Sequence, residues 1–132
     1  MPENSFDQWM SSLEFEFWAT GQHKIEPAQF FERWTKNQGI LLDVRAKEEQ
    51  DFATLPFALW IPINELPRRL NEIPRDKLVA TFCSGGDRSN VAFAYLRSRG
   101  WQNVRILKAT YTELMAELLP GKLRKIIEDK NA

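Results

Sequence analysis

Apolar residues along this chain follow two different spacings. Between residues 5 and 18, Phe6, Trp9, Met10, Leu13 and Phe17 recur at helical intervals, and Ser5 with Gln8 fits a capping box. One amphipathic helix is predicted there. Gly21-Gln22 breaks it, and His23-Lys24-Ile25 reads as a short strand. Pro27 opens a helix to about Lys36 with Phe30, Phe31 and Trp34 on its apolar side, and Asn37-Gln38-Gly39 ends it. Ile40 to Val44 and Leu78 to Phe82 are short, mainly apolar runs between turn residues, the pattern of strands buried on both faces. Between them lie a charged helical turn from Lys47 to Phe52 and an extended piece at Leu59-Trp60-Ile61, bracketed by Pro56 and Pro62. A helix from Glu65 to Ile73 then ends at Pro74. A helix from Ser89 to Arg99 closes at Gly100, Val104 to Leu107 is the next strand, and residues 111 to 129 are helical apart from a break at Pro120-Gly121.

Strand, loop, helix and strand in that order form a βαβ unit, and the repeated alternation predicts a parallel sheet covered by helices on both faces. Function in such a sheet belongs at the C-terminal ends of the strands, where Cys83 falls. The chain's 132 residues suit one compact unit, read as an N-terminal amphipathic helical extension, 1–22, and a main domain with a C-terminal helix, 23–132. The aromatic face of the N-terminal helix reads most simply as core packing, but Trp9, Phe15, Phe17 and Trp18 exceed what one helical stripe buries, which leaves an interface with a homodimer or protein partner as the alternative.

Charge narrows the field. Eighteen basic side chains balance eighteen acidic ones with no long run of either sign, which argues against nucleic acid or a membrane surface as partner. The first residues lack the basic start and apolar stretch of a signal peptide, and the expected location is cytoplasmic. With one cysteine and one histidine, neither an internal disulfide nor a zinc site is available, and no cofactor is expected. His23 stands far upstream of Cys83 in sequence and reads as structural rather than as the base of a Cys-His hydrolase.

The chemistry concentrates in Cys83-Ser84-Gly85-Gly86-Asp87-Arg88. Two glycines between a buried strand and a helix let the backbone curl so that successive amides point inward, an anion-binding nest around the sulfur. The helix dipole and the Arg88 guanidinium add to it, and all three favour the thiolate. The same cradle would hold a persulfide anion. Ser84, Gly85, Gly86, Asp87, Arg88 and Ser89 are therefore the candidate binding residues around the nucleophile Cys83. Ser89 is read either as a helix N-cap or as a hydroxyl near the sulfur, and Arg88 either as a substrate contact or as half of a salt bridge. The bland reading of Cys83 itself is an inert, buried cysteine at a strand end, which its glycine-rich setting makes the weaker one. Asp43 and Arg45 are read as structural support, with Glu48 and Glu49 as further partners for Arg45.

Cys83-Ser84-Gly85-Gly86-Asp87-Arg88-Ser89 resembles the active-site loop of the rhodanese family. Leu42-Asp43-Val44-Arg45 with Glu48-Glu49, and Pro56, Ala58 and Ile61-Pro62-Ile63 with Glu65-Leu66, resemble two further segments of that family, in order, from about Ile25 to about Leu118. The resemblance implies a three-layer α/β/α fold with a central five-stranded parallel sheet. It also implies sulfur transfer from a donor to a thiol or other nucleophilic acceptor through a persulfide on Cys83. Phosphatases and arsenate reductases that share the fold place five residues between Cys and Arg. Here there are four, a tighter ring that suits one sulfur atom.

Some positions depart from the family pattern. Thr54 stands where His is usual, Phe57 where Gly is usual, and Ala109-Thr110 replaces a Gly-Gly pair. Ser84 is neutral where thiosulfate users often carry a basic residue, and Asp87 adds a negative charge, so thiosulfate is not assured as donor. The alternative to an enzyme is a persulfide-carrying or regulatory module that binds a protein and turns over small donors poorly.

Overall fold

The computed structural model describes the backbone of residues 5–132 and side chains from Phe6 onward; the Ser5 capping interaction lies outside the described residues. Five parallel strands form one sheet in the order β1-β5-β4-β2-β3. They are β1 Lys24–Ile25, β2 Gly39–Asp43, β3 Leu59–Trp60, β4 Leu78–Phe82 and β5 Val104–Leu107. The helices are α1 Ser5–Ser11, α2 Phe15–Ala19, α3 Pro27–Thr35, α4 Lys47–Phe52, α5 Asp87–Ser98, α6 Tyr111–Ala116 and α7 Pro120–Lys130.

Strand β4 shows why the layers form. All five of its residues are buried, and the two-residue period of a strand sends them alternately to opposite faces. Leu78, Ala80 and Phe82 pack with Phe30 and Phe31 of α3 and Leu114 of α6. Val79 and Cys83 pack on the other side with Ala92, Phe93 and Leu96 of α5. Both faces are thus covered, the arrangement predicted from the alternation of strands and helices. Strand β2 lies beside β4 in register, Gly39 opposite Leu78 through Asp43 opposite Phe82. After β2 the chain moves outward to β3, and after β4 it moves the other way to β5. The loops leaving these two central strands therefore diverge and open a crevice at their C-terminal ends.

Four predicted elements take a different form. The single N-terminal helix is two: the Ser12 amide and hydroxyl both bond to the Trp9 carbonyl, at 3.0 and 2.6 Å, and Leu13 N bonds to Met10 O, which closes α1 before α2 begins. Residues expected as one helix from Glu65 form two 3-10 turns, Ile63–Arg68 and Leu70–Glu72, with Pro67 inside the first denying the α-helical hydrogen bond. Pro120 starts α7 rather than breaking a helix, because a first-turn amide has no intrahelical partner to lose. Helix α5 begins at Asp87, with Gly86 as its N-cap, so Ser89 is not the cap.

Candidate active site

Cys83 follows β4 directly and is 2% exposed, while Ser84 and Gly85 of the same loop lie open to solvent. Gly86 adopts φ +103°, a backbone region closed to most side chains, and this turn brings the start of α5 back over the sulfur. The Gly86 amide donates to Cys83 Sγ at 3.1 Å and the Ser89 amide at 3.3 Å, and Ser89 Oγ lies 3.6 Å from the sulfur. Burial pushes the thiol up. The Ser89 hydroxyl and amide, then the Gly86 and Gly85 amides, outweigh it and hold the group below the usual thiol range. Ser89 Oγ also donates to the Gly86 carbonyl at 2.9 Å. A hydroxyl has one proton, so it closes the loop while Cys83 is a thiol and can turn to the sulfur when the thiolate forms.

Thr81, two residues before Cys83 and on the same face of β4, donates from Oγ1 to the buried Ser89 carbonyl at 3.0 Å. That bond ties the strand to the first turn of α5 and fixes the position of Ser89.

Above the sulfur, Arg88 makes a bidentate pair with Glu49 of α4, Nη1 to Oε1 at 2.5 Å and Nη2 to Oε2 at 2.9 Å. Ser84 Oγ bridges the two, accepting from Arg88 Nη2 at 3.2 Å and donating to Glu49 Oε2 at 3.3 Å. The Arg88 guanidinium, against the opposing effect of burial and with help from the Ala46 amide and Ser84 hydroxyl, holds the Glu49 carboxyl at about 2. Glu49 thus pairs with Arg88 and not with Arg45, and that carboxylate, ahead of the weaker effect of Cys83, raises the Arg88 guanidinium against burial. Glu48 likewise forms no ion pair with Arg45.

Asp43 and Arg45 form a separate buried pair. Arg45 donates from Nε to Asp43 Oδ1 and from Nη2 to Oδ2, both at 2.9 Å, and Nη2 also reaches the Ala53 carbonyl at 2.7 Å. The guanidinium lies over the rings of Phe82 and Tyr111, on the side of the sheet away from α5. It fixes the end of α4 beneath the loops and makes no bond to the sulfur.

The departures at the rim have local partners. Phe57 packs against Phe31 and Trp34, with ring centroids 5.9 and 6.1 Å apart. Thr110 caps α6 in a reciprocal pair with Glu113, donating its amide to Oε1 at 2.9 Å and accepting from the Glu113 amide at 3.2 Å. Thr54 Oγ1 donates to the Gln50 carbonyl at 2.9 Å and finishes α4.

A buried cysteine at the end of the central strand, two amides aimed at its sulfur and an Arg directly after a four-residue loop agree with the model of the rhodanese-like domain, which matches residues 27–117. This chain belongs to that family. A sulfurtransferase of Allochromatium vinosum is 33% identical over 87 residues, covering 65% of this chain and 81% of that protein. A putative sulfur carrier protein of Bacillus subtilis is 33% identical over 64 residues, 48% of this chain and 35% of that protein. The human single-domain sulfurtransferase structure shares 25% identity over 72% of this chain and 96% of that chain, with a TM-score of 0.60. Other curated relatives are longer, and the chain spans 28%, 16% and 15% of three of them.

Within the rhodanese-like domain the structure brings Ser84, Gly85, Gly86, Arg88 and Ser89 together around or above Cys83, with Ser84 and Gly85 also open to solvent, whereas Asp87 is exposed in the first turn of α5. Two residues that position the site escaped the sequence reading. Glu49 lies nearer to Arg45 in sequence, and its pairing with Arg88 spans 39 residues with no local signal. Thr81 was detectable, as the one hydroxyl in an apolar strand at the register of Cys83. Among the described residues no cluster suited to a metal is present, and no helix is long and apolar enough to cross a membrane.

Proposed function

We propose that the protein is a sulfurtransferase that carries sulfane sulfur on Cys83. The observation that supports this most directly is the sulfur cradle, in which Gly86 and Ser89 amides meet Sγ at 3.1 and 3.3 Å. The Cys83 thiolate attacks the outer sulfur of a donor, the donor's S–S bond breaks and its electron pair leaves with the departing thiolate or sulfite. The Cys83 persulfide is then held as an anion by the same amides. An acceptor thiolate attacks the terminal sulfur, taking it and restoring the Cys83 thiolate.

The rim favours a donor of low charge. Arg88 and Glu49 cancel, and Asp87 adds a negative charge in the first turn of α5, so a dianion such as thiosulfate meets no free cation at the loop. A protein persulfide or a neutral low-molecular-weight persulfide fits better. A reducing, thiol-rich compartment such as the cytoplasm supplies both donor and acceptor of this kind.

Incubation with a donor panel followed by intact-mass measurement tests the reading. One added sulfur on the native protein and none on Cys83→Ser is expected; sulfur retained by the variant would overturn it. A carrier that loads from a protein and turns over small donors poorly is the second reading, favoured by Phe52, which is 94% exposed on the same helix as Glu49. Loading from a protein donor, without turnover of thiosulfate, mercaptopyruvate or glutathione persulfide, would select it.

A further inference from the structure

On the α5 side of the sheet, α1 and α2 do not close against the domain completely. Between them and α5 runs a groove of about 600 Å³, with Phe6, Trp9, Met10, Trp18, Phe93 and Ile106 among its walls. This volume is within the range of small-molecule sites. Trp9 and Phe17 are satisfied by packing, the former edge-on to Phe93 at 5.8 Å. Among the described residues Phe6, Met10 and Trp18 remain 44%, 51% and 48% exposed, an apolar surface.

One end of the groove is cationic. Lys24 on β1 is opposite Ile106 on β5, and Lys108 follows Ile106 by two residues, so strand periodicity turns both lysines to the face that carries Ile106. Both line the groove. The side-chain contact with Lys108, and then its charge, pull Lys24 below the usual lysine range, with Glu26 opposing weakly. Among the described residues Lys47, Lys122 and Lys125 pair with carboxylates and Lys24 and Lys108 do not, although the Lys108 charge is among the groups that pull the Glu113 carboxyl down, after its bonds to Thr110. In the same wall His23 leaves a buried Nδ1 without a hydrogen-bond partner, an unmet polar atom beside the two cations. Two ammonium groups held side by side repel, and a single anion between them removes the repulsion.

We propose that this groove binds a small amphiphilic monoanion, its aliphatic or aromatic body against the apolar walls and its carboxylate or sulfonate head between Lys24 and Lys108. Much of the site comes from residues before 27, which precede the segment matched by the family model, and none of the residues from Cys83 to Ser89 lines it. It does not depend on sulfur transfer, so its failure and the failure of the proposed activity are separable.

Calorimetry with the whole chain and decanoate, kept below its micellar range, is the test, with Trp9 and Trp18 fluorescence as a second readout. Saturable one-to-one binding is expected. Octanoate should bind roughly ten-fold more weakly, since two buried methylenes are lost. Decan-1-ol and decyltrimethylammonium should also bind about ten-fold more weakly or less tightly still, lacking a charge-assisted bond to the lysines. Lys24→Gln with Lys108→Gln should weaken decanoate about ten-fold with circular dichroism unchanged, and Met10→Glu, on an exposed helical position, should abolish binding. Equal affinity for acid and alcohol, indifference to the lysine variants, or no saturable binding would overturn the proposal. So would self-association in sedimentation that Met10→Glu dissolves, because a second copy would then be the occupant.

Discussion

Ser89→Ala isolates one part of the sulfur cradle. The substitution removes Oγ, 3.6 Å from Cys83 Sγ, and leaves the Ser89 and Gly86 amides in place at 3.3 and 3.1 Å. A hydrogen bond to a charged partner contributes about 1.5–3 kcal/mol, and a long contact to sulfur belongs near the lower end. At about 1.4 kcal/mol for each pKa unit, the Cys83 thiol should rise by about one unit. The bond from Ser89 Oγ to the Gly86 carbonyl is lost as well, which takes support from the thiol form, so about one unit is the ceiling of the rise. The assay is the rate of attack on a small neutral disulfide, 2-hydroxyethyl disulfide, across pH. A more basic thiolate is also a better nucleophile, with a Brønsted slope of about 0.4–0.5. At pH values below the native inflection the ten-fold loss of thiolate then becomes roughly a three-fold loss of rate, and the plateau at high pH rises about three-fold. An inflection that stays in place or moves down would refute the assignment of Ser89 as a stabiliser of the thiolate.

Glu49→Gln should destabilise the fold by about 1–2 kcal/mol at pH 7, the value expected for a bidentate pair that is about one-third exposed and partly screened. Because the folded Glu49 carboxyl titrates at about 2 and its ordinary value is 4.5, this stability is present above the ordinary value and lost as pH falls toward 2; urea unfolding of both proteins across that window should show the difference closing. Asp43→Ala leaves the Arg45 guanidinium buried without its carboxylate and should cost about 3–5 kcal/mol in urea unfolding, with the Ala53 turn loosened in hydrogen exchange. Gly86→Ala should cost about 1–2 kcal/mol through backbone strain at φ +103° alone, since an added Cβ there meets nothing within 4 Å. Gly85→Ala, equally unobstructed and without positive φ, should be close to neutral in the same melts.

The elements that were legible in the chain share a property: their signals are local. Strand β4 reads from five consecutive residues, and its end at Cys83 places the nucleophile without further information. The loop Cys83 to Arg88 reads from two glycines and its length. The misread elements had competing local signals: Ser12 takes the Trp9 carbonyl from a helix that the apolar period would have continued, and Pro67 shortens the hydrogen-bond step between β3 and β4.

Partner choice among charged side chains was not legible. Arg45 and Arg88 both had carboxylates within reach in sequence, yet Arg45 turns beneath the sheet end to Asp43 and Arg88 crosses to Glu49 from a helix on another part of the chain. That choice depends on where β2 and β4 lie side by side, since their register sets α4 above the cysteine loop. Period therefore determines the layers and puts the candidate nucleophile at a strand end, because burial acts residue by residue along a strand or helix. The electrostatics of the rim and the groove under α1 arise only when elements distant in sequence meet. Direction and distance decide an ion pair, and neither is written in the order of residues.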